Sequence, residues 1–124
     1  MVARARELMA RVDMSSKEDE YAGNLSGGQK RLLELMRGLM ASPALLLLDE
    51  PMAGVNPALA RRIEQHLLDA CGGGLSMLMV EHELAVVERL CDPVIVMAQG
   101  RVISQGTMAE IRADQEVLDA YLIG

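Results

Sequence analysis

Apolar residues recur every three or four positions at the start of the chain, at Val2, Ala5, Leu8, Met9 and Val12. That spacing predicts a helix over 2–12. Ser16 followed by Asp19 resembles a capping box and predicts a short helix ending near Ala22, with Gly23 as its terminator. Ser26 is placed to cap a longer helix striped by Leu32, Leu33, Leu35, Met36, Leu39 and Met40, and Ser42-Pro43 stops it. The pattern then changes. Leu45 to Leu48 is an unbroken apolar run, as for a strand covered on both faces. Asn56-Pro57 pairs an N-cap with proline at the first helical position, opening a helix through Ile63 and Leu67 to Gly72-Gly73-Gly74. A second strand, Leu75 to Val80, precedes a helix from about Glu83 to Leu90. Val94–Ala98 and Val102–Ser104 flank Gln99-Gly100 and read as a hairpin. Thr107 with Glu110 forms another capping box, and short helices finish the chain.

Strands alternating with helices predict an α/β fold, with a sheet that is parallel where helices intervene and antiparallel in the late hairpin. No repeat or low-complexity segment interrupts it. The 124 residues fit one ordinary domain. Apolar residues make up 51%, with no Phe or Trp and with Tyr21 and Tyr121 as the aromatics, which suits buried strands and helix faces better than a base-stacking surface. A formal charge of -6 without a basic cluster argues against a nucleic-acid partner. Cys71 and Cys91 are isolated thiols without metal-ligand spacing and read as reduced cytosolic cysteines. No stretch approaches the roughly 18 apolar residues of a membrane span, so a membrane role is expected to be peripheral, through a partner. Arg4, Arg6, Glu7 and Arg11 interrupt the N-terminal stretch, which reads as an amphipathic helix rather than a signal peptide.

Four pieces carry candidate chemistry. The first is Leu25-Ser26-Gly27-Gly28-Gln29 at a helix start. Two glycines let the backbone approach a ligand, and first-turn N–H groups favour an anion such as phosphate; a flexible loop capped by Ser26 fits the same residues. The second is Leu45 to Leu48 followed by Asp49-Glu50. Ligands of α/β sheets bind at the carboxyl ends of parallel strands. Successive side chains point to opposite faces, so the two acids are expected to differ in role. One can hold Mg²⁺ and the other can orient or deprotonate an attacking water; a solvated pair in a turn before Pro51 is the alternative. The third is the turn Ala53-Gly54-Val55-Asn56 before the Asn56-capped helix. The fourth is His82, just past the second strand, which can bond a terminal phosphate if the two strands are neighbours, or serve as a cap or surface group. His66 lies mid-helix among polar neighbours and receives no role.

Together these pieces resemble the ABC transporter ATPase family over essentially the whole chain. Leu25–Gln29 is similar to its signature motif at all five positions, Leu45–Glu50 to the Walker B strand with the catalytic glutamate, Ala53–Asn56 to the D-loop and His82 to the switch histidine. The order agrees, with 20 residues from Gln29 to Asp49 and 32 from Glu50 to His82. Asp49 through Pro57, Gly23 through Lys30, and Cys91–Met97 through Gly106-Thr107 resemble the ATP-binding subunits of branched-chain amino-acid importers. Asn56, where the wider family has aspartate, agrees with that subgroup.

The resemblance implies a sandwich dimer with two ATP molecules at its interface. Leu25, Ser26, Gly27, Gly28 and Gln29 would then face ATP held by a second ATPase subunit, identical or not. Asp49 would support Mg²⁺, Glu50 would polarise water, and His82 would bind the γ-phosphate of nucleotide on their own subunit. Transmembrane permease subunits would be the further partners, placing the protein in the cytoplasm, on the inner face of the membrane. No G-x-x-x-x-G-K-[ST] loop occurs in the chain, and the Q-loop and the adenine-stacking aromatic are also absent. The expectation is therefore a partial ABC ATPase domain, inactive alone: 1–42 ending a helical subdomain with the signature helix, 43–106 running from Walker B to the switch histidine, and 107–124 forming C-terminal helices. Two other classes stay open, a soluble ABC-type ATPase that moves no solute and a non-enzymatic half-domain that pairs with a partner.

Overall fold

A computed structural model describes residues 1–122. The elements run α1 (Val2–Arg11), α2 (Gly27–Met40), β1 (Leu45–Asp49), α3 (Pro57–Gly72), β2 (Ser76–Val80), α4 (Leu84–Leu90), β3 (Val94–Ala98), β4 (Arg101–Gly106), α5 (Met108–Ala113) and α6 (Gln115–Leu122). They divide into two compact units, residues 1–80 and 81–124. The α/β class is that expected, with one parallel strand pair and one antiparallel pair.

In the first unit β1 and β2 pair in parallel through the α3 crossover, in register from Leu45↔Ser76 to Asp49↔Val80. Parallel neighbours require such a crossover, and the Asn56 cap and Gly72-Gly73-Gly74 delimit it. The apolar stripes of the helices supply buried side chains, Leu8 from α1, Leu32, Leu35 and Met36 from α2, and Ile63 and Leu67 from α3, and Val12, Met14, Leu25 and Met52 add to them from the connections. Arg62 of α3 pairs with Asp13, tying α3 to the turn that follows α1.

Two expectations fail in this unit. No helix forms between Ser16 and Ala22; short 3-10 turns at Ser15–Lys17 and Ala22–Asn24 replace it, and Gly23 lies inside the second turn instead of ending a helix. The segment holds three consecutive acids, Glu18-Asp19-Glu20, and no apolar face to offset the cost of helix nucleation. Its acids turn outward, Glu18 to Arg6 at 2.6 Å and Glu20 to Lys17 at 2.8 Å. The second failure is the leucine strand, which is covered on one face rather than two. Leu46 and Leu48 are half-buried, with Leu46 packed against Gly38 of α2. Leu45 and Leu47 are 55% and 66% exposed, and Leu78 and Val80 of β2 are 56% and 59% exposed. A strand reads as doubly covered from its composition, but coverage depends on elements that pack beside it.

The second unit is built on the β3–β4 hairpin, which turns at Gln99 and Gly100 with φ of +50° and +75°. Positive φ at both positions gives the turn whose twist matches paired strands. A bulge lies between the Val96↔Ser104 and Met97↔Val102 pairs. Val94, Val96, Ile111 and Val117 form its core. Thr107 caps α5 with the full reciprocal box, its Oγ1 accepting from Glu110 N while the Glu110 carboxylate accepts from Thr107 N at 2.7 Å. Of the C-terminal segment expected to be helical, 107–124, positions 123 and 124 lie outside the described residues.

The bare strand face joins four large aliphatic side chains, a patch that water-soluble surfaces rarely leave uncovered. The chain is expected to self-associate in sedimentation velocity. Leu47→Lys with Leu78→Glu, which places opposite charges on register partners, is expected to shift it toward monomer. A clean monomer before substitution would contradict this.

Asp114 joins β4 to α6, accepting from Ser104 Oγ at 2.6 Å and from Glu116 N at 2.9 Å. The Ser104 hydrogen bond, followed by the backbone amides of Glu116 and Val117, holds its carboxyl below the ordinary 3.8. A depressed carboxyl pKa adds stability that is present above the unfolded value and lost as pH falls. The second unit is thus expected to weaken as pH falls past about 4, and Ser104→Ala to flatten that dependence. Denaturant midpoints followed against pH check this; unchanged steepness in Ser104→Ala would refute it.

Candidate functional site

The residues singled out in the sequence do not all belong to one unit. Leu25–Gln29, Asp49, Glu50 and Ala53–Asn56 lie in the first; His82 lies in the second, exposed, between β2 and α4.

Ser26 begins α2 as predicted. Its Oγ accepts from Gln29 N at 3.2 Å, and the Gln29 side chain accepts from Ser26 N at 3.0 Å. The box consumes the Gln29 amide, while the amides of Gly27 and Gly28 are first-turn groups without an intrahelical acceptor. Leu25, just before the cap, is buried and anchors the helix start. The glycines differ. A Cβ on Gly27 would meet nothing within 4 Å, whereas one on Gly28 would run into Leu59 Cδ2. Gly27 thus faces open space, and Gly28 lets the start of α2 approach Leu59 in the first turn of α3.

That first turn directly follows the Ala53–Asn56 segment. Asn56 Oδ1 accepts from Leu59 N at 2.9 Å, and Pro57 follows at the first helical position. Gly54 takes φ +70°, and Val55 N donates to Met52 O at 3.1 Å, closing the turn. Ala53, Gly54 and Asn56 are exposed and Val55 is half-buried.

Asp49 is the last residue of β1 and is exposed. Glu50 takes φ +43°, which leaves the strand alternation and turns the chain toward the buried Pro51 and Met52. Positive φ is uncommon for a residue with a side chain and persists where the surroundings impose it. Those surroundings are specific. Glu50 N donates to Val80 O at 2.9 Å, extending the β1–β2 ladder. Its carbonyl accepts from Ala53 N at 3.1 Å and from Arg31 Nη2 at 2.8 Å. Arg31 Nε donates to the next carbonyl, Pro51 O, at 3.0 Å, and Nη1 to Glu34 Oε2 at 2.8 Å.

Arg31 is the residue that sequence reading misses. Its visible signal is Glu34 three positions on, a spacing that reads as a solvated helix pair. A groove of about 270 Å³ also lies between α2 and β1, but Leu35, Leu46, Leu47, Leu48 and Ile63 dominate its lining, so it is no phosphate cradle.

The residues can be tested against a magnesium ion. Among the described residues no three His, Cys, Asp or Glu groups converge to hold a metal. Mg²⁺ is commonly held by one or two carboxylates together with substrate phosphates and waters, and exposed Asp49 at a strand end fits that mode but not an all-protein cage. Among the described residues no helix is long and apolar enough to cross a membrane.

Comparison with known proteins follows the same lines. The family described as ABC transporter matches residues 1–53, and that described as branched-chain amino acid ATP-binding cassette transporter matches residues 101–122. A probable branched-chain amino acid transport ATP-binding protein, LivG of Methanocaldococcus jannaschii, is 36% identical over 98% of this chain and 49% of its own length. The methionine import ATP-binding protein MetN of Escherichia coli is 40% identical over 87% of this chain and 32% of its own. The crystal structure of MJ1267 in its ADP conformation, an ATP-binding cassette of an ABC transporter, superposes with a TM-score of 0.86 at 35% identity, over 98% of this chain and 49% of the other. The chain thus spans about half the length of such relatives, or less.

Both caps are local and separable. Ser26→Ala and Asn56→Ala are each expected to lower the unfolding free energy of the first unit by about 1 kcal/mol in urea titration, while Asn56→Asp stays near the parent because it keeps the acceptor. Parent-like stability in both alanine variants would show that the caps do not set these helix starts. With the fold, the motifs and the relatives in agreement, the chain belongs to the family of ABC transporter ATP-binding domains.

Proposed function

We propose that this chain supplies the signature helix and the water-orienting carboxylate of a cassette that hydrolyses ATP to drive an ABC importer of branched-chain amino acids. One observation carries the reading: Asp49 and Glu50 stand at the carboxyl end of a parallel strand, and the positive φ of Glu50 separates two adjacent acids into different settings. Strand ends of this kind are where α/β sheets bind ligands.

Asp49, exposed at the strand end, would hold Mg²⁺ together with nucleotide phosphates, and the ion when bound would offset phosphate charge. Glu50 orients the attacking water and takes its proton. His82 hydrogen-bonds the terminal phosphate. Leu25, Ser26, Gly27, Gly28 and Gln29 address ATP held by a second ATPase subunit, with Gly27 giving the closest backbone approach. Ala53, Gly54, Val55 and Asn56 form the turn that lies beside that interface. Phosphoryl transfer of this kind depends on positioning and charge stabilisation more than on covalent chemistry from the protein. Transmembrane permease subunits complete the transporter, and the cassette works at the cytoplasmic face through them.

The branched-chain substrate is supported by the match over residues 101–122 and by the LivG relative. A second reading, import of methionine, is favoured by the MetN relatives. No nucleic-acid partner is proposed, in keeping with the charge of -6.

Residues 1–124 contain no G-x-x-x-x-G-K-[ST] loop, so the test uses a cassette that joins this chain to a phosphate-loop segment. Glu50→Gln is expected to lower ATP turnover by roughly 10²–10⁴ while leaving ATP binding intact, as for loss of a general base. Turnover equal to the parent would reject the assignment.

A further inference from the structure

Arg31 makes three hydrogen bonds that join α2 to the strand end, and the proposed chemistry leaves them unused. Its guanidinium spans two consecutive carbonyls, Glu50 O at 2.8 Å and Pro51 O at 3.0 Å, while Glu34 on its own helix holds the remaining nitrogen at 2.8 Å. The side chain is 33% exposed, so the bonds are partly shielded from water. A planar fork can bridge two acceptors in fixed orientation; an ammonium is a point charge with rotating donors and cannot. Carbonyl oxygens carry no net charge, so Glu34 supplies the counter-charge that lets the guanidinium rest there.

The placement gives these bonds a consequence. Arg31 lies one helical turn beyond Ser26-Gly27-Gly28, the end of α2 that the resemblance turns toward nucleotide. Its acceptors are the carbonyl of Glu50 itself and the next one along. The φ of +43° at Glu50 is unfavourable for a side-chain-bearing residue and needs outside support. Val80 holds the Glu50 amide, and Arg31 and the Ala53 amide hold the carbonyl, so both sides of the strained residue are tied. Leu59 of α3 also sits beside Gly28, so the start of α2 and the helix that follows the turn adjoin there.

We propose that Arg31 is a positioning residue that makes the start of α2 and the Glu50 turn one rigid piece, so that nucleotide engaged at Ser26–Gly28 sets the aim of the Glu50 carboxylate. This rests on the reading of Glu50 as the water-orienting group. Arg31 touches no reacting atom; it acts through the backbone that carries Glu50.

The test uses Arg31→Lys and Arg31→Ala beside Glu50→Gln in the cassette that joins this chain to a phosphate-loop segment. Arg31→Lys keeps the charge and the stem and removes the fork, which guards against a variant that fails to fold. It is expected to lower kcat roughly tenfold or more with KM for ATP within about twofold, as when a reacting group is misplaced by a fraction of an ångström to an ångström. Hydrogen exchange at the Ala53 and Val55 amides is expected to quicken while the amides of β1 keep their protection. A purely structural role would instead lower the melting temperature and loosen β1 together with the turn. Loss of turnover in Glu50→Gln with kcat kept within about twofold in Arg31→Lys overturns this inference alone, on the same scale for misplacement. Turnover kept in Glu50→Gln removes the reading of Glu50 and the inference with it.

Discussion

The guanidinium of Arg31 holds the candidate site together. It is the contact through which α2, one turn beyond the Ser26 cap, reaches the residues that follow β1. Side-chain packing fixes distance better than it fixes the direction of a carbonyl. Hydrogen bonds from a charged donor to backbone acceptors are directional and stronger than those between neutral groups. The positive φ of Glu50 is the conformation such a clamp can sustain, and Arg31 and Glu50 are best understood as one device.

The rest of the first unit serves that device. Parallel pairing of β1 with β2 brings Val80 O to the Glu50 amide. Asn56 starts α3 where Leu59 meets Gly28, so three sequence motifs are drawn into one cluster by two caps and one close approach. Each link is short-ranged and is set by a handful of atoms. The face of the strand pair away from the helices is a different matter. Leu45, Leu47, Leu78 and Val80 stand exposed there, although their composition is that of an interior.

What could be read from the sequence was what is local. Ser26, Asn56 and Thr107 cap helices through bonds to residues three positions on, and all three bonds are made. Gln99-Gly100 turns the hairpin with positive φ at both positions, a demand visible in the residue type of Gly100 and not of Gln99. The parallel pair followed from an apolar run, a capped helix and another apolar run. What could not be read depends on distant neighbours. Arg31 reaches acceptors 19 and 20 residues away, and carbonyls leave no mark in a sequence. The approach of Leu59 to Gly28 left no mark either, because the two lie 31 positions apart. The helix expected from Ser16 failed because a capping pattern cannot replace an apolar face. The resemblance to ABC ATPases came from the order of motifs, and the relatives and the solved cassette agree with it.

The clamp can be observed directly by nitrogen-15 NMR of the arginine side chains. Arg37 lies exposed on the same helix and serves as the internal reference. The account predicts that the Nε–H of Arg31 exchanges with water far more slowly than that of Arg37 and shows scalar coupling across the hydrogen bond to the Pro51 carbonyl carbon. Exchange at the same rate as Arg37, with no such coupling, would contradict it.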